Sequence, residues 1–237
     1  MRNSIINSNT LKNSGKGIYI YSSNYNNLTN VNAINNTDDG VMLQSSTYNI
    51  LKNVQSINNS QETIYIKSGS DYNTIQDSTI RECSLDKTRA CIAIEESAYN
   101  TIKNVHLINA SNTLILFTAS TGSAANHNSI VDSSLINASL RYIYFQRGSG
   151  LGTANFLNTT FLNTTYSSVT FDNDAIFQLL RQWYLEVYVN GSDGAAINGV
   201  TIDAYNSSGS LILSATTGTD GWITRQILTE YIYNGNS

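Results

Sequence analysis

Residues Asn49 to Tyr72 read NILKNVQSINNSQETIYIKSGSDY, and the chain rewrites this pattern along most of its length. An Asn opens the unit, apolar residues follow two and eight positions later, and a second Asn stands at the fourth position. The alternating run Ile64-Tyr-Ile66 comes next, and a Tyr closes the unit. A period of about 20 to 50 residues predicts a solenoid of stacked repeats rather than a single globular core.

Seven units share the opening position, which is occupied by Asn3, Asn26, Asn49, Asn73, Asn100, Asn128 and Ala154. The second position is always apolar: Ile5, Leu28, Leu51, Ile75, Ile102, Ile130 and Phe156. The fourth position is always Asn or Asp: Asn7, Asn30, Asn53, Asp77, Asn104, Asp132 and Asn158. We predict that the apolar residues form one buried stack. The Asn residues suit left-handed corners and amide ladders.

Each unit ends in a short strand whose alternate residues are apolar: Ile18/Ile20, Val41/Leu43, Ile64/Ile66, Ile92/Ile94, Leu114/Leu116, Ile143/Phe145 and Val169/Phe171. Alternation with a period of two predicts strands. One unit cannot bury its apolar side alone, so units must stack on each other. The sequence therefore predicts an all-β fold, a parallel β-helix of about seven coils over residues 1–180. A ladder of closing aromatic residues should accompany it: Tyr25, Tyr48, Tyr72, Tyr99 and His127.

Residues 181–237 follow a different pattern, with short alternating strands separated by Gly, Asn and Asp turns. Turns at intervals of about 8 to 12 residues predict a small antiparallel β-sandwich. The chain ends at Ser237 before the closing strands are expected. The first ten residues already read as a repeat, so we interpret the chain as part of a longer protein.

The repeat resembles that of known β-helices. Coils of the form N-x-[IL]-x-[ND] followed by Gly17-Ile-Tyr-Ile or Gly40-Val-Met-Leu are similar to the right-handed repeats of the pectate-lyase-like superfamily, especially NosD-like repeats. The second part, with Asp193-Gly-Ala-Ala-Ile and Gly218-Thr-Asp-Gly-Trp, resembles the carboxypeptidase-regulatory-like, Ig-like domains of surface proteins. Lyases, hydrolases, adhesins and accessory proteins share this scaffold, so the resemblance implies a fold and not an activity.

The amino-acid composition argues against nucleic acid and a membrane span as partners of this chain. Only 13% of the residues are charged and the net charge is -4, so the chain lacks the basic footprint of a nucleic-acid-binding protein. No apolar run reaches the ~20 residues of a membrane span. The Asn-rich, weakly charged composition indicates an extracellular or cell-surface location.

Cys83 and Cys91 flank the loop SLDKTRA. Buried free thiols and a short-loop disulfide are both compatible with this spacing, and we expect the disulfide in oxidised protein. Two Cys residues without a nearby His do not complete a metal site, so we predict neither a metal nor another cofactor.

Candidate catalytic residues are few. Asn36-Thr-Asp38-Asp39-Gly40 resembles the N-T-D motif of polygalacturonases, but neighbouring coils carry other turn residues there, and we interpret Asp38 and Asp39 as turn residues. Glu95 and Lys67, one coil apart, predict a surface ion pair. An enzyme is therefore the less favoured interpretation.

The favoured function is a non-catalytic extracellular or cell-surface protein with a structural or adhesive role, whose partner is a polysaccharide or another surface protein. The alternatives are a polysaccharide lyase or glycoside hydrolase, and a NosD-like periplasmic accessory protein. The outward residues of the final strands form an aromatic-rich face on which a ligand is expected. The predicted contact residues are Tyr19, Tyr21, Tyr65, Lys67, Glu95, Phe117, Tyr144 and Gln146. The competing interpretation is that β-propensity alone placed these aromatic residues.

Overall fold

The computed structural model describes residues 3–83, 89–120, 123–148, 154–172 and 175–236, and every regular element in these ranges is a β-strand. The first ten are β1 Ser4–Ile6, β2 Asn9–Leu11, β3 Ile18–Tyr21, β4 Asn27–Ile34, β5 Val41–Gln44, β6 Ile50–Ile57, β7 Ile64–Lys67, β8 Thr74–Cys83, β9 Ala90–Glu95 and β10 Thr101–Ala110. The others are β11 Thr113–Ala119, β12 Ser129–Val131, β13 Ser134–Ala138, β14 Arg141–Arg147, β15 Ala154–Leu162, β16 Val169–Phe171, β17 Ala175–Leu185, β18 Thr201–Tyr205, β19 Leu211–Thr216 and β20 Gln226–Asn236.

Two sheets form the solenoid. Sheet A runs in the order β1-β4-β6-β8-β10-β12-β15-β17-β20, with β2 beside β4 and β13 beside β10. Sheet B runs β16-β14-β11-β9-β7-β5-β3, and all its neighbours are parallel. Each strand of sheet B belongs to one coil, so the described residues build a parallel β-solenoid of about seven turns, as predicted.

The predicted apolar stack in sheet A is confirmed for the first six coils. The second-position residues pair in register from Ile5 to Ile130. All are buried except Ile5, which is half-buried in the first coil. Like residues therefore lie over like residues at the spacing of neighbouring strands.

The predicted phase of the seventh coil is wrong by five residues. Ile130 pairs with Phe161, not with Phe156, and Asn163 donates a hydrogen bond to Asp132 at 2.9 Å in the fourth-position row. Thr159 therefore takes the opening position. Phe156 is nevertheless fully buried and contacts Phe145 edge-on, with 5.5 Å between ring centroids.

The predicted strand parity of the fifth coil is also wrong. Ile115 pairs with Ile92 and Phe117 with Ile94, so Ile115 and Phe117 point into the core and Leu116 points outward. Phe117 is fully buried and stacks on Phe145 with 4.8 Å between ring centroids. Phe117 therefore cannot belong to a surface contact face.

Asparagine ladders join the coils in two different ways. The opening Asn residues from Asn26 to Asn128 are buried, and their side-chain oxygens accept hydrogen bonds from the coil below, as between Asn26 and Asn49 at 2.8 and 2.9 Å. The fourth-position residues are more exposed and have left-handed φ angles near 50°, such as 51° at Asn53. Their amides also bond between coils, as from Asn53 to Asn30 at 2.8 Å. The left-handed corner predicted for Asn therefore belongs to the fourth position, where Asn tolerates it.

The aromatic ladder is confirmed. Successive rings of Tyr25, Tyr48, Tyr72, Tyr99 and His127 are nearly parallel, with centroids 4.6 to 5.1 Å apart. The disulfide is confirmed as well: Cys83 and Cys91 are bonded, with 4.9 Å between their Cα atoms. Residues 84–88 of the loop that it closes lie outside the described residues.

The chain divides into two compact units, one formed by residues 1–181 and 231–237 and the other by Gln182–Glu230. In the second unit, β18 and β19 pair antiparallel and the Tyr188 and Trp222 rings lie 5.0 Å apart. Thr217 is buried, and its hydroxyl donates to the Ile197 carbonyl at 2.8 Å. A complete two-layered sandwich over residues 181–237 stays a prediction.

Candidate functional site

The outward face of sheet B carries one column of side chains that changes from coil to coil. Strand pairing places in this column Tyr19, Met42, Tyr65, Ala93, Leu116, Tyr144 and Thr170. Ala93 is small, whereas Tyr65 stands before it and Leu116 and Tyr144 follow. A gap in a row of large side chains opens a cleft at Ala93.

This cleft has a volume of about 410 Å³. Ala93 and Leu116 are both buried, and the Tyr65 and Tyr144 side chains pack against them. Another part of the lining is formed by Thr118, Gln146, Arg147 and Gly148. Most of the lining is nevertheless polar, because Glu62, Arg89 and Glu95 also contribute to it. A concave surface on which several polar groups converge is a candidate ligand site.

Polar contacts fix the Tyr65 side of the cleft. The Tyr65 hydroxyl donates a hydrogen bond to Glu95 Oε2, and Lys67 Nζ lies 3.9 Å from Glu95 Oε1. The same ammonium group lies 4.9 Å from the centroid of the Tyr65 ring. Burial and the hydrogen bond to Glu95 raise the pKa of the Tyr65 hydroxyl, so it remains a donor at neutral pH.

Tyr144 is fixed in a similar way. Its hydroxyl donates to Asp172 Oδ1, and the Arg141 guanidinium lies 4.1 Å from the ring centroid. Burial, followed by the hydrogen bond to Asp172, raises the pKa of the Tyr144 hydroxyl to about 12. Both tyrosines therefore have preset orientations, which lowers the entropy that a ligand must overcome on binding.

Three charged residues occupy one position of successive coils, two residues before the strands of sheet B: Lys16, Asp39 and Glu62. On the next coil Ala90 takes this position, and Arg89 directly precedes it. The Glu62 carboxylate accepts from Arg89 Nη1 at 3.1 and 3.5 Å, and both residues line the cleft. Lys16 Nζ lies 3.6 Å from Asp39 Oδ2 and also donates to Asp38. Two cations thus enclose two carboxyl groups.

The two central carboxyl groups are almost completely buried, with 3% of each side chain exposed. Burial, together with the negative charges of Glu62 and Asp38, raises the pKa of Asp39 to about 7 against the opposing effect of Lys16. Asp39 Oδ1 is buried and receives no hydrogen bond from a donor among the described residues. A hydrogen bond between Asp39 and Glu62 exists only when one of them carries a proton.

Sequence reasoning located part of this site. Tyr65, Glu95 and Gln146 line the cleft, Tyr144 packs beside its floor, and Lys67 forms the predicted ion pair. Tyr19 and Tyr21 are exposed on β3, the edge strand of sheet B, and do not line the cleft. Phe117 is buried in the core.

Asp39 lies in the turn segment before β5, as predicted, but the sequence did not indicate that its side chain is buried next to Glu62 of the following coil. Glu62 and Arg89 were missed altogether. The available signal was the coincidence of Lys16, Asp39 and Glu62 at one position of successive repeats.

Other acidic residues have separate structural partners. Glu96 accepts hydrogen bonds from Ser120 and Ser123, which lower its pKa, and Asp71 accepts from the Ala98 main chain at 2.7 Å. Within the described ranges, no three His, Cys, Asp or Glu side chains come together as a metal site. The same part of the chain contains no helix that is long and apolar enough to cross a membrane.

Comparison with solved structures finds distant similarities. The periplasmic alginate epimerase AlgG has 10% identity and a TM-score of 0.48, and the match covers 76% of this chain and 50% of the epimerase. The Agl-KA catalytic domain has 12% identity and a TM-score of 0.42, with 75% and 42% covered. ORF18 of Geobacillus virus E2 has 11% identity and a TM-score of 0.39, with 96% and 67% covered. Similarity of this kind says nothing about the activity of the chain, which spans half the length of the epimerase.

No curated protein matches the chain. The family model described as "Right handed beta helix region" matches residues 1–135, which is more than half of the sequence. Together with the seven-turn parallel solenoid, this match establishes that the chain belongs to the right-handed β-helix family.

Proposed function

We propose that the chain binds carbohydrate in the cleft on the outer face of sheet B. The observation that carries this proposal is the opening at Ala93, flanked by oriented Tyr65 and Tyr144 side chains and lined by charged groups. Aromatic rings supply apolar contact area to the C–H faces of sugars, and carboxylate, guanidinium and amide groups bond their hydroxyls. An extracellular or cell-surface polysaccharide is the proposed partner, in agreement with the adhesive role predicted from the sequence.

Filling the cleft tests this proposal. Ala93→Trp places an indole in the opening. Thr170→Trp is the control, because it adds the same ring to the same column at a position three strands away from Ala93. Binding is measured by affinity electrophoresis against soluble polysaccharides, including laminarin, xylan and polygalacturonate. We expect Ala93→Trp to abolish a retardation that the wild type and Thr170→Trp share. Absence of wild-type binding to every polysaccharide, or binding that Ala93→Trp leaves intact, would refute the proposal.

A second candidate function is glycoside hydrolysis, and one observation favours it. Glu62 and Glu95 line the same cleft, and Asp39 lies behind Glu62 with a pKa of about 7. Hydrolysis of glycosides commonly uses two carboxyl groups, one as acid and one as base or nucleophile. Release of reducing ends by the wild type and its loss in Glu62→Gln would favour this candidate. A polysaccharide that is bound but not cleaved would exclude hydrolysis of that polymer. The NosD-like accessory role stays a prediction from the sequence.

A further inference from the structure

We propose that Asp39 and Glu62 share one proton and that this proton controls the cleft: carbohydrate binds while the pair holds the proton and is released when the pair loses it. This inference rests on the proposed function and concerns the regulation of the same site.

The surroundings of the pair favour one shared proton. The charged or titratable groups that act on Asp39 are Lys16 from the coil below, Asp38 on its own coil, and Glu62 from the coil above. The Tyr65 hydroxyl is also in electrostatic contact with both carboxyl groups. Two ionised carboxyl groups in contact repel each other most strongly where water is excluded, so one proton between them is the stable arrangement near neutral pH.

Glu62 connects the proton to the cleft. Asp39 is held by Lys16 and is followed by Gly40, where an added Cβ would lie only 2.5 Å from the Thr63 carbonyl oxygen. The main chain after Asp39 is therefore packed closely against the next coil, and Lys16 holds the Asp39 carboxyl group from the coil below. Glu62 has the longer side chain and lines the cleft, so repulsion after proton loss displaces Glu62.

Arg89 follows this displacement. Its guanidinium bonds the Glu62 carboxylate at 3.1 Å and lines the same cleft. A movement of Glu62 therefore changes the position of a hydrogen-bond donor that faces the ligand. Proton loss in the pair thereby removes the preset geometry of that wall of the cleft, and with it part of the binding free energy.

Linkage fixes the direction and size of the effect. When only the protonated pair binds, the Kd stays constant below the titration point and rises tenfold for each pH unit above it. For titration near neutral pH we expect binding to be roughly tenfold weaker at pH 8 than at pH 6.

The experiment measures retardation by laminarin, xylan and polygalacturonate at pH 6 and pH 8 for the wild type, Asp39→Asn and Asp77→Asn. Asn is isosteric with a protonated Asp, and its amide donates to Glu62 at both pH values, so Asp39→Asn should bind equally well at both. Asp77→Asn is the matched control, because Asp77 is an exposed ladder residue at a position where Asn is common. It should lose affinity at pH 8 as the wild type does.

Each outcome decides the inference. Equal wild-type binding at pH 6 and pH 8 would overturn the proton control and leave carbohydrate binding standing, as would a parallel loss of affinity in Asp39→Asn. Lack of wild-type binding at pH 6 would instead overturn the proposed function. Infrared spectra of the ligand-free wild type give an independent measurement if Asp39→Asn does not fold. A protonated-carboxyl band that disappears between pH 6 and pH 8 is expected, and its absence at pH 6 would overturn the shared proton.

Discussion

Replacement of Asn73 by alanine tests how strongly the buried ladder joins the coils. The Asn73 amide donates to Asn100 Oδ1 at 3.2 Å and to the Ser46 carbonyl at 2.9 Å. Its Oδ1 accepts from the main-chain and side-chain nitrogens of Asn49 at 2.8 and 3.0 Å. Asn73 is only 1% exposed, so water does not replace these partners in the folded protein.

The expected loss follows from the groups that remain. In Asn73→Ala, the Asn49 nitrogens and the Ser46 carbonyl each lose a buried partner. An unsatisfied buried donor or acceptor costs about 1 to 3 kcal/mol. We therefore expect the free energy of unfolding to fall by about 4 kcal/mol. Urea unfolding followed by far-UV circular dichroism measures this loss.

The exposed ladder supplies the control. Asn53 is exposed, donates one ladder bond to Asn30 at 2.8 Å, and has a φ angle of 51°. Asn53→Gly removes that bond and keeps the left-handed corner, so we expect a loss below about 1 kcal/mol. Asn53→Ala should lose about 1 kcal/mol more than Asn53→Gly, because alanine resists the left-handed conformation. Equal losses in Asn73→Ala and Asn53→Gly would refute the argument that buried amides carry the coil-to-coil stability.

Three further predictions concern other parts of the solenoid. Because burial and the charges of Glu62 and Asp38 raise the pKa of Asp39 from 3.8 to about 7, the folded protein retains a proton that the unfolded chain has released, and stability falls as the pH rises. Urea unfolding should show a loss of about 3 kcal/mol between pH 5 and pH 8 from this group, absent in Asp39→Asn; identical slopes would contradict it. Replacing both Cys83 and Cys91 by alanine should lower the free energy of unfolding by about 2 kcal/mol, because the disulfide closes a short loop. Phe117→Ala should lose about 3 to 5 kcal/mol through the cavity it leaves, and a loss near zero would restore the outward placement.

The sequence predicts the position of each coil correctly wherever only one alignment of the repeat fits. The prediction was wrong at the seventh coil because residues 154–163 fit the repeat in two alignments, or frames, one through Phe156 and Asn158 and one through Phe161 and Asn163. Both frames supply an apolar second position and an Asn fourth position. The structure selects the second frame, in which Asn158 follows the aromatic ladder and bonds His127 at 2.9 Å.

The fifth coil failed for a related reason. Its strand carries an unbroken apolar run from Leu114 to Phe117, so a period of two assigns neither parity. Only pairing with the neighbouring strands decides it, and Ile115 and Phe117 lie in register with core residues on both sides.

The candidate site was the least predictable part, because a ladder and a functional column look alike within a single repeat. At the positions of the asparagine and tyrosine ladders, the same residue type recurs on successive coils, so that amides stack on amides and tyrosines on tyrosines. At the position of Asp39 and Glu62, two carboxyl groups are stacked instead, and cations on both sides compensate only part of their cost. At Ala93 a row of large side chains is interrupted by the smallest one, and this interruption opens the cleft.

Stacking of like residues on neighbouring coils stabilises a solenoid at most positions of the repeat. A position where unlike residues or like charges are stacked lacks this stabilisation. Both departures meet at Glu62, which belongs to the carboxyl pair and lines the cleft. This coincidence is the physical reason to look for function there.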